Sequence, residues 1–221
     1  MLFRSTVSDD RTVILEAKFK SAHPEFIGTF GMPNLGKLNT ILNIPEYKDD
    51  AKISINARMA QDESGNPTVR QPEGIHFENK AGDFKNDYRL MAPSVVSDLS
   101  KSITFKGANW GVEIEPSVAS IQRMRFQAQA NNEETTFVAR TENSALRFYF
   151  GDPANHSGNF TFENNISGTL SKGWNWPVSV VMNILALPGN KQMRFSDEGA
   201  VEIEVDSGLG IYTYIIPAQT K

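Results

Sequence analysis

One order of elements can be read twice between about residue 103 and the C terminus: a strand, a helix and three further strands. The strands are read from period-2 alternation, in which every second residue is apolar, β-branched or aromatic and faces one side of a sheet. Lys52–Arg58, Gly74–Glu78, Ser144–Phe150, Asn159–Glu163 and Ala200–Val205 all carry it. Three segments break the period. Leu35, Leu38 and Leu42 fall on one helical face, with Pro33 at the first helical position and Pro45 as a stop. After Glu115-Pro116-Ser117, the inward residues Val118, Ile121 and Met124 mark a second helix. A third runs from Trp176-Pro177 through Ile184-Leu185 and closes at Pro188-Gly189.

Ahead of residue 103 the series reads as strands near 2–7, 11–19 and 24–31, a helix over 33–43, and strands near 51–58, 73–79 and 84–91. It is the same series without its opening strand and helix. A repeated unit of this kind constrains the fold more than any short motif does. The expected class is α+β, with two similar β-α-β-β-β domains built on antiparallel sheets. The expected boundaries are 1–91 for the first domain, 92–102 for a connector and 103–221 for the second domain.

Charge and composition remove several function classes. The 22 Lys and Arg against 26 Asp and Glu leave a formal charge of −4, which argues against a protein gripping nucleic acid over its whole surface. With no Cys there is no disulfide scaffold, thiolate metal site or Cys nucleophile. No apolar run approaches 18 residues, and Met1–Thr6 forms no signal-peptide core, so the expected compartment is the cytoplasm, with no membrane partner. His23, His76 and His156 stand in no metal-binding spacing, and no nucleophile elbow, P-loop or dinucleotide fingerprint occurs. Asp9-Asp10 and Asp49-Asp50 read as solvated turn charge. The three asparagine triplets at 155, 159 and 165 read as chance matches to a glycosylation site. The expectation is a non-enzyme with no cofactor and no metal.

Particular residues carry a family resemblance. Phe160–Pro217 contains an aromatic-Asn-aromatic entry, Trp174-Asn175-Trp176, into a short apolar helix. A Pro188-Gly189-Asn190-Lys191 exit follows, and then three strands ending in Ile211–Pro217. Val112–Met124 looks like the first helix of a second domain, and Lys85–Met91 like the strand before an interdomain connector. The chain thereby resembles the DNA sliding clamps, ring-shaped polymerase processivity factors, and most closely the T-even bacteriophage type. Members of that family begin with a strand and a helix ahead of the strands read here at 2–31, so the resemblance implies an N-terminally truncated first domain. It also implies a homotrimeric ring around duplex DNA, held topologically and without sequence preference, that tethers a DNA polymerase and meets a clamp loader. For a phage-encoded chain the compartment would be the host cytoplasm.

The resemblance assigns candidate residues. The helical stretches 33–43, 116–130 and 174–189 contain no Asp or Glu, as a wall facing DNA phosphates requires. Lys37, Arg123, Arg125, Lys172 and Lys191 lie in or beside them as the DNA-facing set. An equally open reading is that buried apolar helices carry few charges of either sign. Polymerase and loader tails would enter a pocket lined by Met91, Val95, Ile215 and Pro217. Subunits would pair through edge strands holding Tyr88 and Leu90 on one side and Leu146 and Phe148 on the other. The competing reading is a β-sandwich binding module, a carbohydrate-binding or virion-surface domain, in which Trp110, Trp174 and Trp176 stack on sugar rings.

Overall fold

The computed structural model describes residues 3–7, 13–22, 24–61, 67–99 and 105–219. In chain order the first half holds β1 (Phe3–Val7), β2 (Ile14–Phe19), α1 (Leu35–Leu42), β3 (Lys52–Gln61), β4 (Pro67–Glu78), β5 (Lys85–Arg89) and α2 (Pro93–Leu99). The second half opens with β6 (Val112–Ile114), α3 (Val118–Ala130), β7 (Thr136–Glu142), β8 (Ala145–Gly151) and β9 (Ser157–Asn164). It closes with β10 (Asn175–Pro177), α4 (Val178–Leu185), β11 (Asn190–Ser196), β12 (Ala200–Asp206) and β13 (Gly210–Pro217). A helix followed by three consecutive antiparallel strands occurs three times, after α1, α3 and α4. This is the α+β architecture expected from the residues. Asp9-Asp10, His23 and residues 62–66 and 100–104 lie outside the described residues.

The chain falls into two compact units, Met1–Ala22 with Ile103–Lys221, and His23–Ser102. The sequence reading groups residues 1–22 with the first domain. In the structure β2 pairs with β13 over Ile14–Phe19, so the N-terminal strands extend the sheet of the larger unit. The strand expected near 24–31 is also absent, and a single bridge, Gly31 to Met91, stands in its place. Within the 92–102 connector, Pro93–Leu99 is helical.

Local chemistry sets the helix ends. Asn34, at φ 50°, caps α1 by accepting the Lys37 N–H at 3.1 Å, which places the first helical residue at Leu35, two beyond Pro33. Ser117 caps α3 by accepting the Ser120 N–H at 3.0 Å. Beyond α4, Gly189 has φ 113°, and a Cβ there would lie 2.1 Å from the Asp206 carbonyl oxygen. Only glycine fits that turn.

The larger unit has one core. It joins Phe137, Phe148, Phe150 and Phe162 of the four-stranded sheet β10-β7-β8-β9 to Met124 of α3 and Val181 and Leu185 of α4. Met193, Phe195, Val201, Ile203 and Ile216 of the six-stranded sheet β1-β2-β13-β12-β11-β6 complete it. Phe148 and Phe162 stack with ring centroids 4.4 Å apart. The smaller unit packs α1 over the three-stranded sheet β3-β4-β5 through Ile41, Ile55, Ile75, Phe77 and Leu90. There the buried Tyr88 hydroxyl donates to the Pro33 carbonyl, and burial raises its pKa.

Candidate nucleic-acid interface

Helix α3 is seated on β9 and α4 lies beside it. The close approach to β9 depends on Gly158, where a Cβ would stand 2.6 Å from Gln127 Oε1 and 2.7 Å from Asn131 Nδ2. Met124 is fully buried, which fixes the rotation of α3. At 3.6 residues per turn, Arg123 and Arg125 then flank the buried line on opposite sides. The exposed crest is Val118, Gln122, Phe126 and Gln129. Val118, expected to face inward, is 81% exposed and Phe126 57%, so the crest of the helix is apolar; only Met124 of the expected inward set is fully buried.

The candidate cations occupy different settings. Arg123 is exposed, with its guanidinium 5.5 Å from the centroid of the Phe160 ring. Arg125 is exposed and makes no ion pair among the described residues. Lys37 is exposed on α1 in the smaller unit, likewise without an ion pair among the described residues. Lys172 sits in the loop before β10, 5.8 Å from the centroid of the Trp174 ring. Lys191, at the start of β11, donates to the Gly189 carbonyl at 2.7 Å, and burial pushes its pKa down. The structure thus brings two of the five onto one helix and leaves Lys172 and Lys191 on a loop and a strand. Helix α4 offers only Ser179 and Asn183 as exposed polar groups between its ends.

The edge-strand residues need correction. β5 is an edge of its sheet, but Tyr88 and Leu90 point into the core at 2% and 5% exposure, which leaves the backbone of β5 rather than those side chains at the boundary. β8 lies between β7 and β9, so Leu146 and Phe148 are central core residues; the edges of that sheet are β9 and the three-residue β10. An apolar alternation cannot by itself tell an edge strand from a central one, because both bury one face. Among the pocket residues, Ile215 is buried and Pro217 exposed at the end of β13, while Val95 is exposed on α2 and Met91 packs over Gly31.

The three tryptophans are engaged within the protein. Trp176 is buried, 6.0 Å from the Phe195 ring. Trp174 donates to the Asp197 carbonyl at 2.8 Å, and Trp110 lies under the Arg194 guanidinium at 5.1 Å. None is exposed as a sugar-stacking platform would be. No helix among the described residues is long and apolar enough to cross a membrane.

Comparison with solved structures gives the fold a place among known ones. PCNA from Thermococcus kodakaraensis superposes with a TM-score of 0.67 at 10% identity, over 98% of this chain and 86% of that one. A. fulgidus PCNA, solved with the C-terminal region of FEN-1 bound, gives a TM-score of 0.67 at 10% identity, over 99% of this chain and 85% of that one. No protein-family model and no curated protein sequence matches the chain. The fold is that of the PCNA-type clamps, with antiparallel sheets and few helices over nearly the full length.

Proposed function

We propose that the chain is a non-enzymatic sliding clamp, a processivity factor that encircles duplex DNA and tethers a polymerase. The observation that carries this reading is a clamp fold whose helices α1, α3 and α4 hold no Asp or Glu, in a protein of net charge −4. A surface depleted of carboxylates lets DNA phosphates pass without strong repulsion, and Arg125 and the long amides of Gln122 and Gln129 supply weak contacts that do not depend on sequence. Holding is then topological, and a single subunit binds DNA weakly.

Closure uses two of the sheet edges, β5 and β9, one copy's β5 pairing with the next copy's β9 into a homotrimeric ring. Polymerase and loader tails engage apolar residues of the smaller unit, Met91 and the exposed Val95; A. fulgidus PCNA is the neighbour solved with such a tail, the FEN-1 C-terminal region, bound. The T-even bacteriophage likeness, and with it action in the host cytoplasm, rests on the Trp174–Trp176 entry and the Ile211–Pro217 ending.

The test is topological. Protein threaded onto linear duplex whose ends are then capped with bulky blocks should stay bound as salt is raised, and should leave when a restriction cut opens the duplex. Loss at the same salt before and after cutting would overturn encirclement.

A further inference from the structure

Side chains of the four-stranded sheet alternate between the core, which Met124 of α3 enters, and an outward face. On that outward face Arg140 of β7 stands directly opposite Arg147 of β8. Like charges so placed destabilise a strand pair unless a counter-charge is supplied. The neighbouring carboxylate, Glu142, accepts from the Tyr149 hydroxyl at 2.5 Å and lies 3.7 Å from Arg147 Nε. Arg147 otherwise donates to neutral oxygens, Thr161 Oγ1 at 3.1 Å and Asn159 Oδ1 at 2.5 Å, and its Nε is buried without a hydrogen bond. Arg140 makes no ion pair among the described residues, and its guanidinium is 5.5 Å from the Tyr149 ring centroid.

A third cation is held beside this pair by a pinned loop. The Leu170 N–H donates to Thr141 Oγ1 at 3.0 Å, tying the loop to β7. Asp197 accepts the Ser171 and Lys172 N–H groups, each at 2.9 Å, and the Ser171 hydroxyl as well. Burial pushes the Asp197 pKa up, but these donors outweigh it and hold the carboxyl below its ordinary range. Its oxygens are therefore occupied, and Lys172 extends over Trp174 instead. Between loop and strand lies a cleft of about 240 Å³ whose lining includes Arg140, Thr141, Glu142, Leu170, Lys172 and Gly173. Gly173 lets the loop approach the strand closely: a Cβ there would stand 3.1 Å from Val138 Cγ1, tighter than ordinary contact, and would touch the Arg140 guanidinium at 3.4 Å from Nε.

We propose that this cleft binds a phosphoryl group, with the planar fork of Arg140 donating paired N–H bonds and the Lys172 ammonium acting as a point charge. The phosphoryl group comes either from free phosphate or from the backbone of a nucleic-acid strand. The site is built on the sheet face turned away from the core that α3 enters, so it does not depend on the clamp reading.

The experiment is calorimetric titration of the full chain at fixed ionic strength, with inorganic phosphate in one arm and oligothymidylate lacking terminal phosphates in the other. Arg140→Gln and Lys172→Gln should each weaken phosphate binding about tenfold, the usual effect of losing one charge-assisted contact, while Lys80→Gln, at an exposed lysine paired with Asp50 in the smaller unit, should leave it unchanged. Gly173→Ala, which keeps both charges, should weaken it as well, and melting curves confirm that each variant is folded. Tighter binding of the oligothymidylate through the same two residues assigns a strand backbone, and binding of phosphate alone assigns the free anion. Equal phosphate affinity in wild type, Arg140→Gln and Lys172→Gln overturns the proposal, as does wild-type affinity in Gly173→Ala. A hexaglutamate peptide that binds more tightly than either probe through the same residues also overturns it.

Discussion

Glu78 lies across the three-stranded sheet from a lysine and beside a histidine: its carboxylate is 3.2 Å from Lys85 Nζ and 3.5 Å from His76 Nε2. Hydrogen bonds from Lys85 and then His76, with the Lys85 charge added, hold its pKa below the ordinary value of 4.5. A depressed carboxyl pKa gives stabilisation that is complete above the unfolded value and lost as pH falls through the folded one. The melting temperature of the His23–Ser102 unit should therefore drop as pH falls below 4.5, and Glu78→Gln should flatten that part of the profile. An unchanged slope in Glu78→Gln would show that other carboxylates set it. The same scale marks a limit of sequence reading at α3. Arg123 and Arg125 are two residues apart and invite reading as one basic face, yet the burial of Met124 between them sends them to opposite flanks and raises Phe126 between Gln122 and Gln129. Alternation of polarity fixes which residue is inward only when its packing partner is known.

At the scale of elements, α3 depends on its cap and on the strand beneath it. Ser117→Ala removes the oxygen that accepts the Ser120 N–H and should cost about 1 kcal/mol of stability, measured by denaturant unfolding. Gly158→Val should cost more, because its side chain would enter the space of Gln127 and Asn131 and lift the C-terminal end of the helix from β9. If β9 is the pairing edge between copies, introducing charged side chains along its exposed backbone should lower the sedimentation coefficient toward that of a monomer, while the same change on interior β8 should unfold the unit. Element order was largely legible because period 2 and period 3.6 are local signals, and α3 and α4 start within two residues of the positions expected from Pro116 and Pro177. Sheet membership was not legible. Whether β2 joins β13, or β8 lies between β7 and β9, is decided by contacts far apart in sequence. The edge residues Leu146 and Phe148 were accordingly misplaced, since an inward-facing phenylalanine looks the same on an edge or central strand.

At the scale of the whole molecule, two units of unequal core share one chain. Among the described residues, the cluster in the larger unit contains 21 buried apolar residues and that in the smaller unit seven, which makes the smaller the first to open. Burial also differs in kind. Phe148 contacts four other aromatic rings within one continuous core, whereas α1 leaves Leu35 and Leu42 at 61% and 52% exposure. Units with separate cores need not unfold together, and a single melting temperature then ceases to describe the protein. Calorimetry should resolve two transitions. Phe77→Ala should lower only the first and Phe148→Ala only the second, each by about 3–5 kcal/mol in the unit concerned. Amide exchange supplies the independent measure: protection in β3, β4 and β5 should be lost at a lower opening free energy than in β7, β8, β11 and β12. One transition shifted equally by both substitutions, with uniform protection, would mean that the two cores fold as one cooperative body. Each chain, rather than each unit, would then be the smallest piece able to hold its shape.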